Sequence, residues 1–273
     1  MTTTATHGDQ DSSADWYGSL DHPTPNIGAV LHGVDAAALQ EPETRDALEQ
    51  LLRTRRVVFL RGLKPLEAHA YEAFAEQFGT LGRHVKTADT SGASALLTQD
   101  GLPNNHWHTD GTYHELPPKY VMLQAHVVPP VGGDTLWANT VSAYQALPAE
   151  LKTLAAGLRV RHSNIWWRWA SGRSNEYQVL EAVHPLVQDV TETQEQALLL
   201  GEHAVYIEGF TRADSAALIE LFQRHITAPE HVVRWRWQPG DLAIWDGRTT
   251  QHYAAADYRS HTRIMRRVWV ASV

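Results

Sequence analysis

An imidazole and a carboxylate two residues apart, His108 and Asp110 in the run Asn105-His106-Trp107-His108-Thr109-Asp110-Gly111, can meet on one metal ion. In extended chain the side chains at i and i+2 leave the same face, so His108 and Asp110 aim together while Thr109 turns away. Two such groups are the local part of a 2-His-1-carboxylate facial triad, the set that leaves open positions on non-heme Fe(II). The second imidazole has to come from a distant part of the chain. His126, His162, His184, His203, His225, His231, His252 and His261 are candidates, and periodicity does not choose among them. His252 stands out by context. The run Leu242-Ala243-Ile244-Trp245 predicts a buried strand, Asp246-Gly247-Arg248 a turn, and a histidine soon after can point inward at a barrel mouth. His106 shares the strand face of His108 and could compete for the metal, or line the pocket rim.

The bulk properties narrow the partners. The chain has 273 residues, 43% of them hydrophobic, which suits one β-rich domain over 16–273. Residues 1–15 are too polar to be held by a core and are expected to be a disordered tail. A net charge of -8 gives no basic footprint for nucleic acid, so small molecules are the expected partners. The absence of cysteine excludes disulfides, thiolate zinc sites and cysteine nucleophiles, leaving oxygen and nitrogen ligands. Neither a long apolar run nor an apolar signal core is present, so a soluble, cytoplasmic protein without membrane contact is expected. Assembly into a homo-oligomer is left open.

The elements that would position these residues follow from periodicity. Leu48, Leu51 and Leu52 predict a helix over Pro42 to Arg55, followed by a buried strand Val57 to Leu60 closed by Gly62. A second helix is expected from Pro65 to Phe78, with Leu66, Ala70, Phe74 and Phe78 every four residues. Further strands are expected at Tyr120 to Val128, Asp134 to Ala138, Leu158 to His162, Val232 to Trp237 and Leu242 to Trp245. Helices interrupt them at Val141 to Ala156, restarting at Pro148, and at Ala213 to Ile226. Strands that dominate the second half, without regular strand-helix alternation, predict an α+β fold with a mainly β core. The expected form is a two-sheet jelly roll with N-terminal and inserted helices.

Five ordered blocks carry a resemblance. They are Trp107-His108-Thr109-Asp110; Gly132-Gly133-Asp134-Thr135-Leu136-Trp137; Arg234 to Asp241; Trp245-Asp246 with Gln251-His252-Tyr253-Ala254; and Arg263-Ile264-Met265-Arg266-Arg267. Together they resemble the taurine and 2,4-dichlorophenoxyacetate type of Fe(II)/2-oxoglutarate-dependent dioxygenases. The resemblance implies a double-stranded β-helix with a metal triad of His108, Asp110 and His252. It also implies that Arg263 and Thr135 bind the distal carboxylate of 2-oxoglutarate, a task suited to a planar guanidinium. Fe(II), 2-oxoglutarate and O2 are the implied cofactor and cosubstrates, with succinate and CO2 as co-products. An iron-centred oxidant then removes hydrogen from an unactivated C–H bond and usually returns hydroxyl. The carboxylate of Asp110 favours this outcome over halogenation, since related halogenases omit it.

For the substrate, Arg267 matches the sulfonate-binding position of sulfonate-cleaving members, and His84 and Asn104 resemble substrate-contacting positions. They imply a small anionic substrate: sulfonate, sulfate, phosphate or carboxylate. Trp166, in the cluster Ile165-Trp166-Trp167-Arg168-Trp169, has no counterpart in the pattern and could stack on a bulky substrate or pack in a hydrophobic layer. An alternative is therefore an oxygenase of specialised metabolism that hydroxylates, desaturates or cyclises a larger nucleotide, amino-acid or carboxylate derivative. Two other classes remain beside it, a jelly-roll binding module without catalysis and a zinc hydrolase.

Overall fold

The computed structural model of the chain describes residues 18–82, 93–98, 104–166, 178–258 and 260–272. The tail expected over 1–15, His84, Trp167 to Trp169 and the stretch 171–177 lie outside these residues. Among the described residues there are sixteen strands and five α-helices, numbered in chain order.

The largest sheet has eight strands. In space it runs β1 (Ser19–Asp21), β2 (Ala29–His32), β3 (Val57–Arg61), β14 (Leu242–Asp246), β6 (Tyr120–Val127), β16 (Ile264–Val270) and β4 (Leu81–Gly82), with β5 (Ala95–Thr98) also on β16. A second sheet holds β13 (Val232–Trp235), β7 (Thr135–Asn139) and β15 (Thr250–Ala254). A third holds β12 (Ala204–Ile207), β8 (Arg159–Ser163) and β9 (Glu181–Pro185). β10 (Val187–Val190) and β11 (Glu195–Leu198) form a separate hairpin. Only β2 and β3 pair in parallel; every other described ladder is antiparallel. That excludes a doubly wound sheet and gives a strand-rich α+β fold.

The first two sheets share a core. Phe59, Val121, Leu123, Ala243, Trp245 and Met265 from the large sheet pack with Trp137, Val233 and Trp235 from the second. Phe59 stacks on Trp235 at 4.1 Å and meets Trp137 edge-on at 5.2 Å. On the opposite face of the large sheet lie α1 (Pro42–Arg55) and α2 (Ala68–Glu76). They contribute Leu48, Leu52, Tyr71 and Phe74, all fully buried. Each such leucine stabilises the fold by about 2 kcal/mol through the apolar area it removes from water. A third cluster joins α3 (Thr140–Ala146), α4 (Ala149–Ala156) and α5 (Arg212–Ile226) to β8 and β11 through Ala143, Val160, Leu198, Phe222 and Ile226.

The expected helix over Pro42 to Arg55 forms over those residues, and Pro148 caps α4 as the restart point. The second helix is shorter than its periodicity predicts, Ala68–Glu76 rather than Pro65 to Phe78. The amide of Leu66 donates to the buried Gln124 side chain at 2.9 Å, and Glu67 is extended at the cap. The extended backbone at Glu67 thus sets the start of the helix at Ala68. The strands β9 to β12 were not anticipated. Several of their residues, including Gln188, Asp189, Glu195 and Gln196, are polar and face solvent, which hides the apolar alternation.

Candidate active site

Two backbone hydrogen bonds bring the distant parts of the triad together. His108 forms an isolated antiparallel bridge with His252 in β15, each amide donating to the other's carbonyl, at 3.0 and 2.8 Å. Directly opposed residues hold their side chains close, and the two imidazole centroids are 4.0 Å apart. The chain leaves this bridge at once, so the expected strand is a single paired residue and Asp110 opens a turn. The alternation still holds over these three positions. Thr109 points away from the imidazoles and donates to the Thr250 carbonyl at 2.8 Å.

His108, Asp110 and His252 are all buried, and one potential ligand atom from each lies within 4.8 Å of the others. His108 Nδ1 donates to the His106 carbonyl at 2.8 Å, which leaves Nε2 as the free nitrogen. That arrangement fixes the tautomer in the way metal-ligating histidines require. His252 Nε2 lies 3.7 Å from Asp110 Oδ2, an oxygen with no hydrogen-bond partner among the described residues. Burial, then the fields of His108, Arg267 and His203, pushes His252 well below its usual range, so its imidazole is neutral near pH 7. Two imidazoles and a buried carboxylate whose Oδ2 has no hydrogen-bond partner among the described residues fit a divalent iron ion.

Beside the triad, the second sheet and the start of β16 build a polar corner. Thr135 and His252 lie on neighbouring strands, since β15 pairs with β7 through His252 to Trp137 and Ala254 to Thr135. Arg263, 7% exposed, donates through Nε to the Gly133 carbonyl at 3.1 Å and through Nη2 to Thr135 Oγ1 at 3.2 Å. Gly133 has to be glycine: its φ is +73°, and a Cβ there would fall 2.8 Å from Pro129 and 3.3 Å from Arg263 Cδ. Trp237 Nε1 also donates to Thr135 Oγ1, at 2.9 Å. With two donors aimed at its oxygen, the threonine has its own hydroxyl proton to offer. Burial pushes the Arg263 guanidinium down to about 10, which leaves it cationic at neutral pH. Arg263 has no ion pair among the described residues, and a buried cation of this kind is costly until an anion meets it. Asp134, whose field reaches Arg263, is itself paired with Arg234 at 2.6 Å.

The other expected site residues are distributed unevenly. Arg267, 8% exposed, has Nη1 3.5 Å from Asp110 Oδ1, and Asn104 Nδ2 lies 3.3 Å from His108 Nε2. His106 turns out of the triad, pairs with Glu202 at 3.4 Å and packs edge-on against Trp166 at 5.1 Å. Trp166 is 40% exposed, at the rim. Sequence reasoning missed Trp237, whose contact with Thr135 spans about a hundred residues and leaves no local signal.

The sequence pattern of the taurine catabolism dioxygenase TauD, TfdA family matches residues 19–269. The chain belongs to that family. It is 39% identical to the alpha-ketoglutarate-dependent sulfate ester dioxygenase of Pseudomonas putida, over 92% of this chain and 88% of that one. It is 36% identical to an alkylsulfatase of Acinetobacter baylyi, over 91% and 83% of the two chains. A taurine dioxygenase from Burkholderia xenovorans superposes with a TM-score of 0.81 at 32% identity, over 93% of this chain and 91% of that one. AAD-2 in complex with Mn(II) and N-oxalylglycine superposes with a TM-score of 0.79 at 26% identity, over 93% and 97%. The protein is therefore an Fe(II)/2-oxoglutarate-dependent dioxygenase, an oxidoreductase with a His108-Asp110-His252 triad. Family membership with an intact buried triad sets aside the binding module and the zinc hydrolase. No described helix is long and apolar enough to cross a membrane.

Proposed function

We propose that this TauD/TfdA-family dioxygenase hydroxylates a small organic anion at the carbon bearing a sulfate or sulfonate group. The reading takes 16–273 as one catalytic domain, with the two sheets that share the Phe59–Trp235 core forming a double-stranded β-helix around the site. The observation that carries it is Arg267, a buried guanidinium whose only described anionic partner is Asp110, itself a metal ligand. A guanidinium so placed can donate to a pair of sulfate or sulfonate oxygens while the metal draws on the carboxylate. The relatives that act on sulfate esters favour the same substrate class.

Iron with bound 2-oxoglutarate and O2 supplies the oxidant; the chain's residues supply position. Arg263 and Thr135 hold the distal carboxylate of the cosubstrate, the cation by charge and the hydroxyl by its free proton. Arg267, with Asn104 and His84, fixes the substrate anion and so selects the carbon next to it. Trp166 and His106 cover the apolar remainder at the rim. Burial of all three ligands keeps bulk water from the reacting carbon. For an alkyl sulfate R–CH2–O–SO3⁻, one oxygen atom of O2 enters the C–H bond and the other enters succinate, with loss of CO2. The hydroxylated carbon then breaks its C–O bond to sulfate, giving an aldehyde R–CHO and hydrogen sulfate.

Purified enzyme with Fe(II) and 2-oxoglutarate, given a panel of alkyl sulfates and alkyl sulfonates, should release sulfate or sulfite in step with succinate. Succinate formation with none of these substrates would remove the reading. A second reading, oxidation of a larger nucleotide, amino-acid or carboxylate derivative, draws on the exposed aromatic Trp166. It predicts substrate-dependent succinate from such compounds without release of a sulfur oxyanion.

A further inference from the structure

Three buried histidines outside the His108-Asp110-His252 set pack beside the segment that carries His108 and Asp110. His162 on β8 is fully buried, and its Nδ1 lies 2.9 Å from the Thr112 hydroxyl. His184 on β9, 7% exposed, donates through Nε2 to the Thr112 carbonyl at 2.8 Å and the His114 carbonyl at 3.1 Å. His203, just before β12, meets the His108 ring at 6.2 Å and the Tyr113 ring at 5.1 Å. All three belong to, or adjoin, the β12-β8-β9 sheet, in which His162 pairs with Ala182 and Val160 with His184. His162 and His184 therefore share one face, and their rings meet edge-on at 5.4 Å.

That face presses on one segment, 107–114. Its backbone is tied to the same sheet at the other end, where the Glu202 amide donates to the Trp107 carbonyl at 2.9 Å. Gly201 comes so close that a Cβ on it would lie 2.9 Å from His108 Cα. Past Asp110 the chain turns, with the His114 amide bonded to the Gly111 carbonyl at 2.9 Å. Among the described residues, the two imidazoles supply every side-chain hydrogen bond that Thr112 and the carbonyl of His114 make to another element.

We infer that His162 and His184 are positioning residues of the iron site, holding the turn that aims the Asp110 carboxylate at His108 and His252. Chemistry suits them to this. A carbonyl pair needs an N–H donor, which His184 provides at two acceptors with one rigid ring. His162 Nε2 has no partner among the described residues, so the proton belongs on Nδ1, toward Thr112, because an orphan lone pair costs less than an orphan donor. Burial, with a smaller contribution from His184, pushes His162 down to about 3 and keeps it neutral through the working range. A neutral His162 ring can bond the turn without adding a cation beside a site that must accept a divalent one.

The inference rests on the metal triad and not on the substrate. Sulfate release that fails while wild-type protein still binds Mn(II) would remove the substrate reading and leave this one standing. The test uses the full chain, freed of metal and titrated with Mn(II), alongside the visible spectrum of the Co(II)-loaded protein. His184→Phe keeps ring volume and deletes both donors. His231→Phe is the matched control, because His231 is also buried but bonds Ser142 in α3 rather than the metal segment.

Removing a direct partner of a metal ligand typically weakens metal binding by 10- to 100-fold; His184 acts one step further out, through the ligand turn, so His184→Phe should raise the Mn(II) Kd by about tenfold at most and alter the Co(II) bands. His231→Phe should lose thermal stability with its Kd within about twofold of wild type. His184→Gln, whose amide can still donate to a carbonyl, should recover most of the affinity. Should His184→Phe not fold, Thr112→Val decides, since it deletes only the hydroxyl gripped by His162. A Kd raised at least threefold supports the inference and an unchanged one overturns it. A folded His184→Phe that binds Mn(II) like wild type, or a loss equalled by His231→Phe, reduces both histidines to packing.

Discussion

Arg263, just before β16, and Arg267, within it, are four residues apart and almost equally buried, yet their surroundings differ in sign. Arg263 spends its hydrogen bonds on two neutral oxygens, the Gly133 carbonyl and Thr135 Oγ1, and meets no carboxylate among the described residues. Arg267 faces Asp110 at 3.5 Å and lies 5.3 Å from the Trp269 ring centroid. The first corner is rigid and holds an uncompensated cation. The second shares its charge with a metal ligand. An anion arriving at Arg263 gains the full charge in a site already desolvated, whereas one arriving at Arg267 competes with a carboxylate. The corner proposed for the cosubstrate should therefore be the more exacting of the two.

Replacing each arginine in turn tests that difference. The largest effect is expected from Arg263→Gln, which should raise the KM for 2-oxoglutarate about a hundredfold, the equivalent of about 3 kcal/mol for a charge-assisted pair. Steady-state succinate formation would measure it, with the KM for the alkyl sulfate nearly unchanged. Arg267→Gln should do the reverse and less: about a tenfold rise in KM for the sulfate ester, with the cosubstrate KM close to wild type. Equal losses on both axes from either variant would dissolve the distinction between the corners.

A third effect, read as a slope in stability rather than as a KM, comes from behind the metal ligands. His162 has a folded value near 3 against an unfolded one near about 6.5, so between those limits the unfolded chain binds the additional proton. Stability therefore rises with pH across the window and is lost as pH falls through it. Urea unfolding of metal-free protein at several pH values should show this slope. His162→Gln should flatten it by at most about 1.4 kcal/mol per pH unit, while contributions such as that of His252 cancel between the two proteins. Identical slopes would mean that His162 is not held neutral.

The two corners and the rim were not equally legible. His108 and Asp110 are two residues apart, and alternation of side chains makes that spacing meaningful without any tertiary contact. His252 was only one of eight distant histidines until its context and the ordered blocks around it singled it out. What joins it to His108 is a pair of backbone hydrogen bonds, which no side-chain pattern encodes. The helix over Pro42 to Arg55 was fully readable because its apolar stripe and its proline start are local. The first turn of the next helix was not, because Glu67 is extended and the helix starts only at Ala68, which the local apolar periodicity does not reveal.

The sequence by itself determined the ligand types, the reaction class that five ordered blocks imply, and the absence of any thiolate alternative. These depend on residue identity and short spacing, which folding does not alter. Tertiary structure decided how His252 is brought against His108, that Arg263 meets Thr135 and Arg267 meets Asp110, and that His162 and His184 stand behind the ligand turn rather than in it. Each of those is a contact across fifty residues or more. Its geometry is set by the packing of whole sheets, and only the folded chain supplies that.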